Sequence, residues 1–400
     1  MSCNHCAQRF TRWVLKHKYM PKIELSLPRS WNQCSLPVLR AIADVLTDCS
    51  ARIDRFHPFD MMEVKVGVLL RLTNIKVLEP INPRVPVEEQ YYTCRLRPWT
   101  IDEEYSRWFR MLRYYRSFCA WFRRTILGHD DTFSLYIWQI NYWLTPHKDL
   151  ATGRIIPGML DWMNSDSKSF LQRFPFPSVK RHRSGGFFRH CARCFSSGVT
   201  FQGPNTFMDG FSWRRYRFAQ DYMQMFIEQQ NHFLELRQSG KVAATDILKA
   251  TKAMDLSKAL FLATIFNRKI TFVNEETGQT ITDYHYQSNQ HSDNSPYFRN
   301  FDDKDWQLVC LWWQGMMHYL HQTYPKVFKV QKVKGSKKPV NPLLLYARTT
   351  ATLEKYLHST ATDIEREPYS TILQQLEDIT RRNEETEALN RKMRSQSHKK

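Results

Sequence analysis

Residues 60–78, DMMEVKVGVLLRLTNIKVL, carry the pattern from which the fold of this chain is predicted. Asp60 is a favourable helix N-cap, and Glu63 follows three residues later, as in a capping box. The apolar residues after it recur at steps of three and four, which predicts one buried helix face: Val64, Val68, Leu69 and Leu72. Residues 75–78 are mostly aliphatic and favour a strand after the helix.

A similar stretch returns at residues 255–272, DLSKALFLATIFNRKITF. In both copies a lysine leads into the apolar run, and an asparagine and a second lysine follow at the same offset: Lys65, Asn74 and Lys76, then Lys258, Asn267 and Lys269. Upstream of each copy, Ser30-Trp31 or Ser212-Trp213 precedes a helix-like run with Arg, Ala and Asp in the same order. We interpret this as a duplicated helical module, in which the lysines and asparagines form the polar edge and the end of a core helix.

The sequence predicts a mainly α fold with a few short strands, built from two similar helical halves. We expect a basic lead-in at residues 1–22, a first helical module at 23–150 and a second at 211–328. A Lys-rich linker and a C-terminal helix follow at 329–400. Residues 151–210 have the weakest periodicity and contain a Gly-Pro turn and a Cys-x-x-Cys pair. They are therefore predicted to be an irregular basic linker between the modules.

A long helix is predicted after Pro98-Trp99-Thr100, because Thr100 and Glu103 match a capping box. Its apolar residues recur at steps of three and four: Trp108, Met111, Leu112, Tyr115, Phe118, Cys119 and Phe122. Arginines are interleaved with them: Arg107, Arg110, Arg113, Arg116, Arg123 and Arg124. We interpret the aromatic residues as a core stripe flanked by arginines, and we expect a helix at 306–324 to take the same place in the second half.

The composition narrows the classes of partner. A net charge of +19 and a pI near 9.5 favour association with nucleic acid, anionic membrane surfaces or acidic proteins. Only 13 of the 400 residues are glycine, which disfavours phosphate-loop enzymes and turn-rich all-β folds. The N-terminus lacks the apolar core of a signal peptide, and no window reaches the roughly 18 apolar residues of a membrane span. We therefore expect a cytoplasmic protein or a component of a larger assembly.

Two Cys-x-x-Cys pairs form a candidate metal site: Cys3 and Cys6 with Cys191 and Cys194. Four thiolates suit a structural zinc ion. However, the pairs lie far apart in the chain, whereas zinc ribbons usually separate theirs by about 15 to 20 residues. A long-range zinc site and unpaired, reduced thiols remain alternatives, and no other cofactor is expected.

A second cluster has the composition of a nucleic-acid interface. Basic residues surround Gly185-Gly186-Phe187-Phe188: Lys180, Arg181, Arg183, Arg189 and Arg193. Arginine and aromatic side chains can follow phosphates and stack on bases. The alternative is an ordinary solvated cationic surface.

Catalysis has little support in the sequence. We find no phosphate-binding loop, dinucleotide fingerprint, nucleophile elbow or HExxH motif. The His/Asp-rich group Asp283, His285, His291 and Asp293 suits a loop metal site, yet its composition is also ordinary for a polar loop. We predict that the protein is not an enzyme.

The C-terminal residues 369–400 predict a helix with a heptad-like seam: Ile372, Leu376, Ile379, Asn383, Thr386, Asn390 and Met393. The seam becomes polar after Ile379, so two interpretations remain. The segment is either a frayed helix or a short coiled-coil segment through which copies of the chain associate.

Four stretches carry a resemblance to known proteins: SWNQCSLPVLRAIADVL at 30–46, MMEVKVGVLLRLTNIKVLE at 61–79, FSWRRYRFAQDYMQM at 211–225 and PYSTILQQLEDITRRNEETEALNRK at 368–392. Together they resemble uncharacterised structural or tail-region proteins of Bacteroidales phages and prophages. The resemblance implies a virion or tail-assembly component without an active site. The leading hypothesis is a non-enzymatic structural or assembly protein that contacts other proteins of a phage-like assembly. The alternative is a DNA- or RNA-binding protein stabilised by zinc.

Overall fold

The computed structural model describes residues 27–52, 60–79, 85–86, 89–106, 109–128, 131–149, 152–164, 170–183, 198–239, 243–268, 270–273, 280–283, 290–328 and 342–397. These residues form a mainly α-helical protein with short antiparallel strands, which confirms the predicted fold class. The chain divides into two compact units, Met1–Phe170 and Leu171–Lys400.

The first unit combines helices with a three-stranded sheet. Its helices are α1 (Leu36–Arg52), α2 (Met61–Leu72), α3 (Ile101–Tyr105), α4 (Arg110–Thr125) and α5 (Ile137–Leu144). Strands β1 (Ile75–Glu79), β2 (Tyr91–Leu96) and β3 (Thr132–Tyr136) pair antiparallel in that order. Two short strands, β4 (His147–Lys148) and β5 (Ile155–Ile156), form a separate ladder.

Helices α1 and α2 pack closely because a glycine lies between them. A Cβ atom added at Gly67 would lie only 2.7 Å from Cγ1 of Val45, so a larger side chain would force the helices apart. Asp60 caps α2 by accepting a hydrogen bond from the backbone N–H of Met62 at 2.8 Å, as predicted. Three residues of the predicted helix face are fully buried: Val64, Val68 and Leu69.

The second unit contains more helix. Its helices are α6 (Trp213–Ser239), α7 (Ala244–Ile265), α8 (Gln290–Phe298), α9 (Asp303–Thr323), α10 (Pro342–Leu357), α11 (Ala361–Arg366) and α12 (Tyr369–Ser397). Strands β6 (Ser178–Arg181), β7 (Val199–Gln202) and β8 (Asn267–Arg268) form one antiparallel sheet. Strands β9 (Ile270–Val273) and β10 (Thr280–Asp283) pair antiparallel.

Aromatic rings fill the core of the second unit. The ring of Phe174 meets those of Phe266 and Trp312 edge to face, with centroids 5.3 and 4.7 Å apart. Phe261 of α7 makes similar contacts with Trp306 and Trp313 of α9, at 5.7 and 5.2 Å. This is the arrangement that the quadrupoles of aromatic rings favour. Helices α7 and α9 are therefore the central core helices of this unit.

Residues 151–210 do not behave as the predicted linker where the structure describes them. Leu160 and Trp162 are buried in the first unit, and Phe174, Phe176 and Phe201 are buried in the second. The change between units falls inside this stretch, after residue 170. The sequence does not reveal this role, because the apolar residues stand singly among prolines, glycines and basic residues without a helical or strand period.

Each unit buries the leading lysine of the repeated stretch. Nζ of Lys65, in α2, lies 2.8 Å from Oδ1 of Asp161. Nζ of Lys258, in α7, lies 2.6 Å from Oδ1 of Asp303 and donates a hydrogen bond to the carbonyl of Phe301 at 2.9 Å. Both lysines are only 5% exposed. The interpretation of these lysines as the polar edge of a helix is therefore wrong, because each lysine is buried and pairs with an aspartate.

The elements after the buried lysine come in a similar order in both copies. Helix α2 leads into the β1–β2 pair, and α7 leads through β8 into the β9–β10 pair. The copies differ at the turn: Asn74 has a φ of 59° and so lies in the left-handed region, whereas Asn267 is part of strand β8. The shared order of elements agrees with a duplication, and the duplication itself stays a hypothesis.

The two ion pairs predict unequal losses of stability. Replacing Asp161 by Ala should lower the free energy of unfolding by about 3 kcal/mol, because Lys65 would keep a buried charge without its carboxylate. Asp303→Ala is the matched control and should cost less than about 1 kcal/mol, since exposed pairs contribute little. The Asp303 side chain is 84% exposed, and Lys258 would keep the Phe301 carbonyl. Urea unfolding followed by circular dichroism measures both variants, and equal losses would contradict the expected difference.

Candidate interaction surface

The short helix α3 orients α4 through two glutamates. Thr100 and Glu103 form the predicted capping box, and Oε2 of Glu103 also lies 2.6 Å from Nη1 of Arg116. Arg113 donates a hydrogen bond to the backbone carbonyl of Glu104. The predicted single long helix is interrupted here, because α3 ends at residue 105 and α4 begins at residue 110. The side of α4 that carries Arg113 and Arg116 therefore faces its own unit.

Glu104 extends this network to other elements. Its Oε1 lies 2.8 Å from Nη2 of Arg71 in α2, and its Oε2 lies 3.3 Å from Nη1 of Arg97. Nη2 of Arg71 also lies 3.6 Å from Oδ2 of Asp44 in α1. The hydroxyl of Tyr105 donates to the same Asp44 oxygen. Helix α3 thus links α1, α2 and α4 by polar contacts.

The opposite face of α4 is apolar and points into solvent. We call its six residues the α4 stripe: Met111 (80% exposed), Tyr114 (69%), Tyr115 (66%), Phe118 (58%), Trp121 (47%) and Phe122 (42%). None of the sixteen residues of α4 is buried. The prediction of a core stripe is therefore wrong for the described residues, and Trp108 lies outside them. Helical spacing identifies residues that share a face, but it does not say which way that face turns.

Helix α9 has a similar apolar pattern but turns its aromatic side inward. It was predicted to take the same place in the second half, and it does bury its aromatic side: Trp306, Trp312, Trp313, Met316 and Leu320 are all buried. Its residues Asp303 and Asp305 lie in the first turn, and α4 has five arginines and no acidic residue. The apolar pattern is similar in the two helices, but only α9 is a core helix.

A cationic cleft lies beside the C-terminal half of α4. It has a volume of about 490 Å³, and its walls include Leu96, Leu127, Arg97, Arg123, Arg124 and Asp131. Asp131 is shared, because its carboxylate lies 3.5 Å from Arg124 and 2.6 Å from Arg95. Among the described residues Arg123 has no ion-pair partner. Arg97 pairs with Glu104 and Arg124 pairs with Asp131, so Arg123 contributes the uncompensated positive charge of this cleft among the described residues.

The predicted nucleic-acid cluster is divided by its strand. Lys180 and Arg181 are neighbours in β6, so their side chains point to opposite faces. Lys180 is exposed, whereas the guanidinium of Arg181 lies 4.4 Å from the centre of the Phe301 ring. Burial lowers the pKa of Arg181, and nearby aspartates partly oppose that shift. Arg183 is exposed, while Arg189 and Arg193 lie outside the described residues. The nucleic-acid interface stays a prediction.

The predicted zinc ligands Cys3, Cys6, Cys191 and Cys194 all lie outside the described residues. The zinc site therefore stays a prediction. Within the part of the chain that the structure describes, no group of three or more His, Cys, Asp or Glu residues is arranged to hold a metal ion.

The His/Asp-rich group is also only partly described, because His285 lies outside the described residues. His291 packs against the rings of Phe218 and Tyr222, with centroids 5.0 and 5.4 Å apart. Burial and the positive charge of Arg214 lower the pKa of His291. The imidazole therefore lies against an aromatic surface of α6, where its protonated form is disfavoured.

Helix α12 forms a second exposed surface. Its first part packs on the second unit through Tyr369, Ile372, Leu373 and Ile379, which are all buried. From residue 385 to residue 394 every side chain is exposed. Leu389 and Met393 lie one turn apart on this free end, and each is 59% exposed. The predicted seam is therefore used internally at its start and is uncovered at its end.

Comparison with protein-family models, curated proteins and solved structures gave no match. Among the described helices, none is both long and apolar enough to span a bilayer. The function has to be inferred from the exposed surfaces of the chain itself.

The exposed position of the α4 stripe predicts that it contributes little to stability. Phe118→Ser should change the free energy of unfolding by less than about 0.5 kcal/mol, as is usual for surface substitutions. Phe261→Ser in α7 is the matched core control and should lose about 4 kcal/mol, because that ring is fully buried. Urea unfolding compares the two variants. If Phe118→Ser lowered the free energy of unfolding as much as Phe261→Ser does, the stripe would have to be buried in the core.

Proposed function

We propose that this protein is a non-enzymatic structural or assembly protein that acts through protein–protein contacts, and that copies of the chain associate through the free end of α12. The observation that carries the proposal is the exposed end of this 29-residue helix. Residues 385–394 are exposed throughout, and they include two large apolar side chains, Leu389 and Met393.

A partner would stabilise an exposed helix end of this kind. Isolated helices shorter than about 12 to 15 residues are marginal in water, and most helices in proteins are stabilised by packing of an apolar face. Every side chain from residue 385 to residue 394 is exposed, so this part of the helix has no buried apolar face among the described residues. A second helix lying along Leu389 and Met393 would supply it.

The charges of the free end favour a second copy of the same chain. Acidic residues precede Leu389 and basic residues follow it: Glu385 and Glu387, then Arg391, Lys392 and Arg394. Arg391 lies 3.2 Å from Glu387 of the same helix. In an antiparallel pair centred on Leu389, the acidic part of each helix lies beside the basic part of the other. Opposite charges that flank an apolar seam set the orientation of paired helices.

The phage-like part of the proposal is supported by the resemblance of four stretches to phage and prophage structural proteins. The net charge of +19 suits acidic partners within such an assembly, in the host cell or in the virion. The same charge also suits DNA, which is the alternative function. A gel shift with duplex DNA at low salt would favour that alternative, since such binding weakens steeply as salt is added.

The double variant Leu389→Glu, Met393→Glu tests association through α12. Light scattering after size-exclusion chromatography should give, for the unaltered chain, a mass that rises with concentration above the 47.9 kDa of one chain. The variant should stay at the mass of one chain, because two buried carboxylates would oppose pairing. Leu248→Glu, at a 54% exposed position of α7, is the control and should associate normally. A single-chain mass for the unaltered protein at every concentration would refute the proposal.

A further inference from the structure

We propose that α4 docks this protein on an anionic membrane surface, with the α4 stripe inserted among the lipid headgroups. The stripe belongs to the first unit and the α12 contact to the second. The two proposals therefore rest on different residues and can fail separately.

Helix α4 has the composition of a helix that lies in a membrane interface. Such helices carry aromatic and aliphatic residues on one face, Lys or Arg on the other, and low overall hydrophobicity. The sixteen residues RMLRYYRSFCAWFRRT contain five arginines and no acidic residue. Their apolar face already points away from the protein. No refolding is needed to present it to a bilayer.

The exposed face of α4 has Phe118 at its centre, because successive residues are about 100° apart. The apolar Met111 and Phe122 lie on one side of Phe118, and the exposed Thr125 and Tyr114 lie on the other. Trp121 and Tyr115 form the two borders of the face. Trp and Tyr prefer the level of the lipid headgroups, where these border positions would place them.

Two exposed arginines flank the stripe on the surface of the helix. Arg110 adjoins the border that Trp121 forms, and Arg123 lies beyond Leu112 on the other side; both arginines are exposed. Long arginine side chains can extend past an apolar surface to reach charged groups at its edge. These two are therefore placed to contact lipid phosphates while the stripe is inserted.

The cationic cleft provides a place for a phosphate group close to the stripe. Arg97, Arg123 and Arg124 line it, and Leu96 and Leu127 contribute apolar walls. Arginine forms strong, charge-assisted hydrogen bonds with phosphate oxygens. Ile126, 57% exposed, and Leu127, 56% exposed, extend the apolar surface from the end of α4 towards the cleft.

Other occupants of the stripe fit less well. A second α4 would bring the exposed Arg110 and Arg123 of both copies together, and α4 has no acidic residue to balance them. The groove of an acidic protein would match the charge. However, Trp121 and Tyr115 at the borders of the stripe favour a membrane interface, because Trp and Tyr prefer the level of the headgroups.

The attachment of α4 to its unit also suits this role. The pair Arg116–Glu103 is partly exposed on the arginine side, at 41%, and Arg124–Asp131 is exposed on the aspartate side, at 45%. Partly exposed ion pairs contribute at most about 1 kcal/mol each. These ion pairs orient the helix but do not cover its six exposed apolar side chains. Insertion into a bilayer would remove those side chains from water, which is favourable.

Co-sedimentation of the full chain with lipid vesicles tests the proposal. The partition coefficient on vesicles of phosphatidylcholine mixed with phosphatidylglycerol should exceed that on pure phosphatidylcholine by about tenfold or more, because each basic residue near an anionic surface strengthens binding. The double variant Phe118→Ser, Trp121→Ser should bind the mixed vesicles about tenfold more weakly, since it removes apolar area from the stripe. Leu248→Ser, at an exposed leucine outside α4, should bind as the unaltered chain does.

Two further variants distinguish the contribution of the arginines to vesicle binding from that of the apolar stripe. Arg110→Glu with Arg123→Glu should remove the preference for phosphatidylglycerol. Circular dichroism should show an intact fold, because Arg123 has no ion-pair partner among the described residues. The variant Leu389→Glu, Met393→Glu should still bind vesicles, which distinguishes failure of this proposal from failure of the α12 contact.

Three results would overturn the proposal. The unaltered chain could remain in the supernatant with both kinds of vesicle. The Phe118→Ser, Trp121→Ser variant could bind as strongly as the unaltered chain, which would assign binding to the overall charge. Stripe-dependent binding to poly-L-glutamate without binding to vesicles would instead identify an acidic protein as the partner.

Discussion

The first unit depends on a polar network centred on a five-residue helix. Glu103 and Glu104 of α3 contact arginines from α2, from α4 and from the end of β2. The capping box at Thr100 fixes the start of α3 and so places both carboxylates. Arg116 pairs with the Glu103 carboxylate and Arg113 donates to the Glu104 carbonyl, which holds this side of α4 against its unit and leaves the aromatic side exposed. The exposed stripe therefore depends on the position of α3.

The second unit contains a similar amphipathic helix, α9, but turns its other face inward. In α9 the first turn contains the acidic residues and the aromatic side faces α7, where Phe261 and Lys258 meet it. An amphipathic helix is defined by the contrast between its faces, and either face can be turned inward if the surroundings stabilise it there. In the second unit aromatic packing turns the apolar face of α9 inward, and in the first unit charge pairing turns the opposite face of α4 inward.

Local signals in the sequence were sufficient for most elements. The N-cap at Asp60 and the capping box at Thr100 both follow from residues within a few positions of one another. Three features could not be predicted because they depend on distant partners. These are the direction of the α4 stripe, the burial of Lys65 and Lys258, and the core residues within 151–210. The exposed end of α12 was anticipated as one of two alternatives, since a polar seam leaves packing undecided.

The buried lysines set an order of events during synthesis. Lys65 and Asp161 are separated by 96 positions, whereas Lys258 and Asp303 are separated by 45. At the usual rate of about 5 to 20 residues per second, a ribosome adds the partner of Lys65 roughly 5 to 20 seconds after the lysine itself. Until then α2 cannot bury its charge in the native way and must keep Lys65 in water. The first unit, although translated first, closes its polar core only as its last residues emerge.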